Sequence, residues 1–169
     1  MSVLNIRKYP EKVLMEKAQP VDAIDDDLQQ LIDSMVETMH AAPGVGLAAP
    51  QVGVPKRLAV IDTAAGDSES ELLVIINPVI VRKEGDIEFE EGCLSIPEYT
   101  TKTHRAEIVL VSALDREGRP VEIHGEGLLS IALQHEIDHL DGILILDRTS
   151  PIKREFFKKR FRKSRKLSK

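Results

Sequence analysis

The chain predicts an α+β fold in which antiparallel β-sheets pack around a central buried helix, with a further helix at the C-terminus. Three observations point there. Residues 126–141 are apolar around most of a helical circumference, β-branched runs crowd the middle of the chain between helical ends, and Asp115-Arg116-Glu117-Gly118 supplies a tight turn between two of those runs. Strands gathered in the middle argue against the regular βαβ alternation of a parallel sheet. A length of 169 residues suits one domain, and 42% hydrophobic content is ordinary for a globular chain.

The first twenty residues read as an extended start with a short helical turn near Glu11 to Ala18. From Asp25 to Ala41, the residues Leu28, Leu31, Ile32, Met35, Val36 and Met39 recur at helical spacing, and Asp25 to Asp27 suit the positive end of the helix dipole. Ala42-Pro43-Gly44 breaks that helix. Strands are expected at Arg57 to Asp62, Leu72 to Asn77, Val79 to Lys83, Ile87 to Glu90, Glu107 to Leu114 and Val121 to His124. The central helix runs from Glu126 to Asp141, with Gly142 ending it. Ser150 and Pro151 then suit the N-cap and first position of a last helix, which Ile152, Phe156 and Phe157 could anchor to the domain.

The central helix carries Gln134-His135-Glu136-Ile137-Asp138-His139, a His-Glu-x-x-His pattern. Residues four apart share a helix face, so His135 and His139 can offer two imidazole nitrogens to one metal ion. Glu136, one residue on from the first ligand, stands where a general base is needed. Such polar groups in an apolar helix are costly unless hydrogen-bonded, paired or bound to metal. A chance match, with the histidines satisfying backbone carbonyls, is the alternative.

A catalytic metal site needs a third ligand. The extended pattern His-x-x-Gly-x-x-His would put it at position 145, which is Ile145, and the one acid beyond Asp147 is Glu155 in a basic tail. There remains the single cysteine, Cys93. One thiolate and two imidazoles leave the fourth position open, as catalysis requires.

Three separated segments make the chain resemble the bacterial peptide deformylases: Gly44-Val45-Gly46-Leu47-Ala48-Ala49-Pro50-Gln51, Glu91-Gly92-Cys93-Leu94-Ser95, and Gln134 to His139, in that family's order and near its spacing. The resemblance spans nearly the whole chain. It implies a hydrolase that removes the formyl group from the N-terminal formyl-methionine of new polypeptides. It implies Cys93, His135 and His139 as metal ligands and Glu136 as the catalytic carboxylate. The oxyanion donors it implies are the backbone N–H of Leu94 and the side-chain amide of Gln51. Gly46 would bring backbone groups beside the substrate, with Val45, Leu94, Ile131 and Ala132 as apolar candidates for the methionine pocket. The implied cofactor is one divalent ion per chain, Fe2+, with Zn2+, Ni2+ or Co2+ able to substitute. The chain departs from many relatives at Glu98-Tyr99-Thr100-Thr101, where an arginine often follows the Cys-Leu-Ser-x-Pro segment. Either Lys102 or Arg105 takes its place in holding the substrate, or that contact is weaker.

Composition narrows the alternatives. One cysteine forms no internal disulfide, no signal-peptide pattern opens the chain, and no run approaches 18 uninterrupted apolar residues, so a cytoplasmic protein with no membrane span is expected. Neither a phosphate-binding G-x-x-x-x-G-K-[ST] loop nor a dinucleotide fingerprint occurs. The net charge of -5 hides an asymmetry: residues 153–169 hold ten Lys or Arg against Glu155, whereas the rest holds 13 basic and 27 acidic residues. The expected organisation is one catalytic metallohydrolase domain over 1–150 and a basic helical tail over 151–169, in a monomer. That tail is either a solvated terminus or a foot for the phosphates of a ribosome. An internal-bond zinc peptidase and a non-catalytic metal-binding or metal-free module remain the rival readings.

Overall fold

The computed structural model describes residues 2–64 and 71–167. Helix α1 spans Asp26–Ala41, and the Asp25 side chain caps it by accepting from the Leu28 N–H at 2.9 Å. A three-residue strand β1 (Gly46–Ala48) follows, then a single 3-10 turn over Ala49–Val52. Strands β2 (Leu58–Ile61), β3 (Leu73–Glu84), β4 (Ile87–Cys93), β5 (Ile96–Arg105), β6 (Ile108–Leu114) and β7 (Pro120–Glu126) come next. Helices α2 (Leu128–Leu140) and α3 (Pro151–Leu167) complete the chain.

Five strands form one antiparallel sheet in the order β1-β2-β3-β6-β7, and β4 and β5 form a separate antiparallel ribbon. Strand β2 is buried on both faces. Ala59 and Ile61 join Ile75, Val109 and Val111 against Leu133, Ile137 and Leu140 of α2. Leu58 and Val60 turn to the other side, where Leu28, Ile32, Met35 and Met39 of α1 cover them. Alternation along a strand thus serves two cores, one under each helix. A third cluster, with Leu14, Ile96, Leu144, Ile145 and Leu146, joins the ribbon to the segments flanking it.

The two segments expected at Leu72–Asn77 and Val79–Lys83 are one strand, β3, interrupted rather than ended at Asn77-Pro78. Proline removes a ladder donor, and Asn77 adopts φ 50°, so the register shifts there. The Asn77 amide clamps Val21 from both ends, accepting from its N–H at 2.8 Å and donating to its carbonyl at 3.0 Å. Strands β1 and β5 were not expected. The end of α2 is a six-residue closure in which the Ile143 N–H reaches the Asp138 carbonyl at 2.9 Å and Gly142 stands at φ 74° just past the Asp141 cap.

Helix α3 holds to the body by aromatic contacts. Phe157 meets Tyr9 at 5.6 Å and Tyr99 at 4.6 Å between ring centroids, and Phe161 meets Tyr9 at 5.0 Å. Ile152 and Phe156, expected as anchors with Phe157, are instead 71% and 65% exposed. Each residue advances the helix by about 100°, which turns Phe156 off the seam that Phe157 and Phe161 share.

Candidate metal centre and catalytic cavity

Helix α2 lies between the large sheet and the ribbon, so its apolar side faces Ala59 and Val111 while its polar side faces β4 and β5. Residues four apart on that polar side, His135 and His139, bring their Nε2 atoms to 3.2 Å. The Cys93 Sγ at the end of β4 lies 3.4 Å from His139 Nε2. One ligand atom from each of the three residues falls within 4.8 Å of the others, so Cys93, His135 and His139 could hold a metal ion.

The surroundings prepare these donors. His135 Nδ1 bonds to the Glu91 carboxylate at 2.8 Å, which fixes the ring so that Nε2 faces His139. Glu91 is in turn gripped by Arg105, whose Nε and Nη2 donate at 2.8 and 3.0 Å, and by the Thr103 hydroxyl. Arg105 also donates to Asp138 at 2.5 Å, and Asp138 takes both Nη2 and Nε of Arg148 at 2.7 and 3.0 Å. Burial pushes the Glu91 carboxyl up, but the His135 and Arg105 contacts overcome that and hold it at about 2. Burial also raises the Cys93 thiol, yet the charge of His139 and hydrogen bonds from both histidines drive it well below its ordinary value. His135 moves well up: burial opposes its charge, and the bonds to Cys93 and Glu91 prevail. A half-buried cysteine sulfur facing two imidazoles is a donor set that a divalent cation fits.

Glu136 lies in the same buried surroundings. Its Oε2 is buried without a hydrogen-bond partner among the described residues, as is His139 Nδ1. An unmet buried acceptor costs about 1–3 kcal/mol, so Glu136 Oε2 is poised for a proton or a water. Burial pushes the Glu136 carboxyl up, against the pull of His135 and His139. The carboxylate packs against β1, where a Cβ on Gly46 would stand 2.5 Å from Oε1.

Gln51 serves both a turn and the site. Its Oε1 accepts from the Ala48 N–H at 2.9 Å, and its Nε2 donates to Ser95 Oγ at 3.2 Å and points at Cys93 Sγ, 3.7 Å away. Leu94, in the turn between β4 and β5, packs its side chain where a Cβ on Gly44 would stand, and its carbonyl accepts from Lys8 Nζ at 2.9 Å. Gln51, Cys93, Leu94, His135 and Glu136 all line one cavity of about 740 Å³, and Val45, Gly46, Ile131 and Ala132 line it with them. His139 sits behind that surface, buried.

Several lining residues escaped the sequence: Lys8, Phe89, Tyr99 and Leu128. The substitutes considered for the missing arginine fare differently. Arg105 is buried between Glu91 and Asp138 and is not free to hold a substrate, while Lys102 pairs with exposed Glu88 at 3.4 Å.

An α+β fold whose buried His-Glu-x-x-His helix meets a cysteine from a neighbouring ribbon defines a metallohydrolase-like class of protein. The polypeptide deformylase family model matches residues 3–155, and the chain belongs to that family. A peptide deformylase of Thermodesulfovibrio yellowstonii is 56% identical over 162 residues, covering 96% of this chain and 98% of that protein. The crystal structure of a peptide deformylase from Legionella pneumophila superposes with a TM-score of 0.91 at 48% identity, over 99% of this chain and 98% of that one. The Ehrlichia chaffeensis peptide deformylase, crystallised in complex with actinonin, gives 0.90 at 39% identity over 97% and 98% of the two chains. No helix among the described residues is long and apolar enough to cross a membrane.

Proposed function

We propose that the protein hydrolyses the N-formyl group from the formyl-methionine that begins newly made polypeptides, releasing formate. The observation that carries this reading is the unpartnered Glu136 oxygen beside three converging donors in a cavity that Gln51 also enters. A divalent ion on Cys93, His135 and His139 supplies Lewis acidity that makes water a nucleophile near neutral pH. We assign Fe2+ to that place, with Zn2+, Ni2+ and Co2+ compatible with the same donors.

Glu136 takes a proton from the attacking water as a C–O bond forms at the formyl carbon. It then delivers that proton to the amine nitrogen as the C–N bond breaks, and the second water proton passes from the formic acid to the free amine, leaving formate and an ammonium N-terminus. Gln51 Nε2 and the Leu94 N–H donate to the oxygen that gains negative charge. Gly46 brings its backbone groups beside the substrate, and its lack of a side chain lets Glu136 close against β1. Val45, Leu94, Ile131 and Ala132 take the methionine side chain. Residues 1–150 act as the catalytic domain. The tail, residues 151–169, is a basic foot that binds ribosomal RNA, and the enzyme works as a cytoplasmic monomer.

The test is formate release from formyl-Met-Ala-Ser by protein prepared anaerobically with iron. Stoichiometric iron with no formate above background would overturn the assignment.

A further inference from the structure

A second concavity of about 370 Å³ opens between α3 and β5, and it shares Tyr99 and Thr100 with the catalytic cavity. Its far wall is one face of α3, where Lys153, Phe156 and Arg160 recur at spacings of three and four. Lys102 of β5 lies on the near wall. Tyr99, the shared rim, is held by its contact with the Phe157 ring.

The chemistry of this groove is uneven. Lys102 is paired with Glu88, but no ion pair among the described residues engages Lys153 or Arg160. Glu90, the acid in the lining, accepts from the Thr100 hydroxyl at 3.3 Å and keeps its charge, so the lining holds three cations against one carboxylate. Between the two free cations stands the exposed ring of Phe156. The groove therefore offers positive charge beside an apolar surface, one step over the rim from the cavity that Glu136 lines.

We propose that this groove receives the part of the formylated peptide that follows the residues held in the catalytic cavity, and that it favours an acidic side chain there. This rests on the deformylase reading. An extended peptide advances about 3.3 Å per residue, so a cavity of about 740 Å³ encloses only the first few residues and the rest must leave across its rim. Once the formyl end is held, a modest contact further along acts at high effective concentration. The same cations could meet RNA phosphates, but continuity with the cavity and the Phe156 ring favour a peptide.

The experiment uses the full iron-loaded chain and three substrates: formyl-Met-Ala-Ser, and that peptide extended by Gly-Glu-Glu-Phe or by Gly-Lys-Lys-Phe. Values of kcat/KM at low salt are normalised to the short peptide, for the parent and for the K153E/R160E variant. The acidic extension should exceed the basic one by about 3- to 10-fold in the parent, the size expected of two exposed ion pairs, chiefly through KM. The order should invert in the variant. An acidic-to-basic ratio that is the same in parent and variant overturns the proposal. So does an oligo-uridylate that binds the parent and not the variant while that ratio stays fixed, since the groove would then belong to nucleic acid. Absence of formate even from the short peptide would sink the deformylase reading and this proposal with it, a result distinct from a failure confined to the long peptides.

Discussion

Gly46 and Glu136 are in contact across the boundary between β1 and α2, and the carboxylate occupies the space that any side chain at position 46 would need. A Cβ there would stand 2.5 Å from Oε1 and 2.9 Å from the carboxyl carbon. Gly46→Ala should therefore push Glu136 out of place while leaving the converging Cys93, His135 and His139 undisturbed. A displacement of about 1 Å can cost on the order of 100-fold in rate. Steady-state kinetics beside metal analysis would check this, with metal content expected near one ion per chain. Full activity in Gly46→Ala would remove the carboxylate's position from the mechanism.

Glu136→Gln keeps the shape of the side chain and removes its basicity. Turnover should fall by about 100- to 10,000-fold with metal still bound. Near-normal formate release at full metal occupancy would take Glu136 out of its role.

Cys93→Ser and His139→Ala each delete a donor from the converging set. Metal content after gel filtration should fall with activity in both, less in the serine variant because a hydroxyl is a weaker donor. If both variants retain one tightly held ion per chain, the three-residue ligand set is wrong.

Glu91 links stability to pH. Its folded value is lowered from 4.5 to about 2, so its contribution is fully present above pH 4.5 and disappears as pH falls through the interval down to about 2. The shift corresponds to roughly 3 kcal/mol. Denaturant unfolding of the parent and of Glu91→Gln, followed from pH 6 downwards, should show a gap that narrows across that window. A gap independent of pH would mean that the carboxylate charge is not what Arg105 and His135 hold.

Removing residues 162–169 takes away five cations, Arg162, Lys163, Arg165, Lys166 and Lys169, while sparing Phe157 and Phe161. Co-sedimentation with ribosomes at low salt should weaken sharply, and its salt dependence should flatten by up to about 0.9 in logarithmic slope for each phosphate that is no longer neutralised. Formate release from formyl-Met-Ala-Ser should be retained. Equal co-sedimentation of both proteins would reduce residues 162–169 to a solvated terminus.

Helices α1 and α2 were legible because their signal is local: a 3.6-residue stripe in one, an apolar circumference in the other. Strand β5 was not, because its inward positions are Thr101, Thr103 and Arg105, polar residues that hydropathic alternation assigns to the outside. Their partners Thr149, Glu91 and Asp138 are distant along the chain, and only tertiary pairing makes them interior. The same divide runs through the candidate site. His135 and His139 are four apart on one helix and announce themselves, whereas Glu91 opens the cysteine-bearing motif with no role until the register of β4 against α2 places its carboxylate on His135. Arg105 reads as a free cation for the same reason.

Strand β2 divides its four residues between the cores beneath α1 and α2, with Leu58 and Val60 on one side and Ala59 and Ile61 on the other. Neither core can open without exposing the strand they share, so the two should melt as one cooperative unit. The amides of Leu58 to Ile61 should then exchange with solvent deuterium only through global unfolding, reporting the full free energy of the fold. The protons of α3, bound to the body through a few aromatic rings, should exchange through local opening long before them.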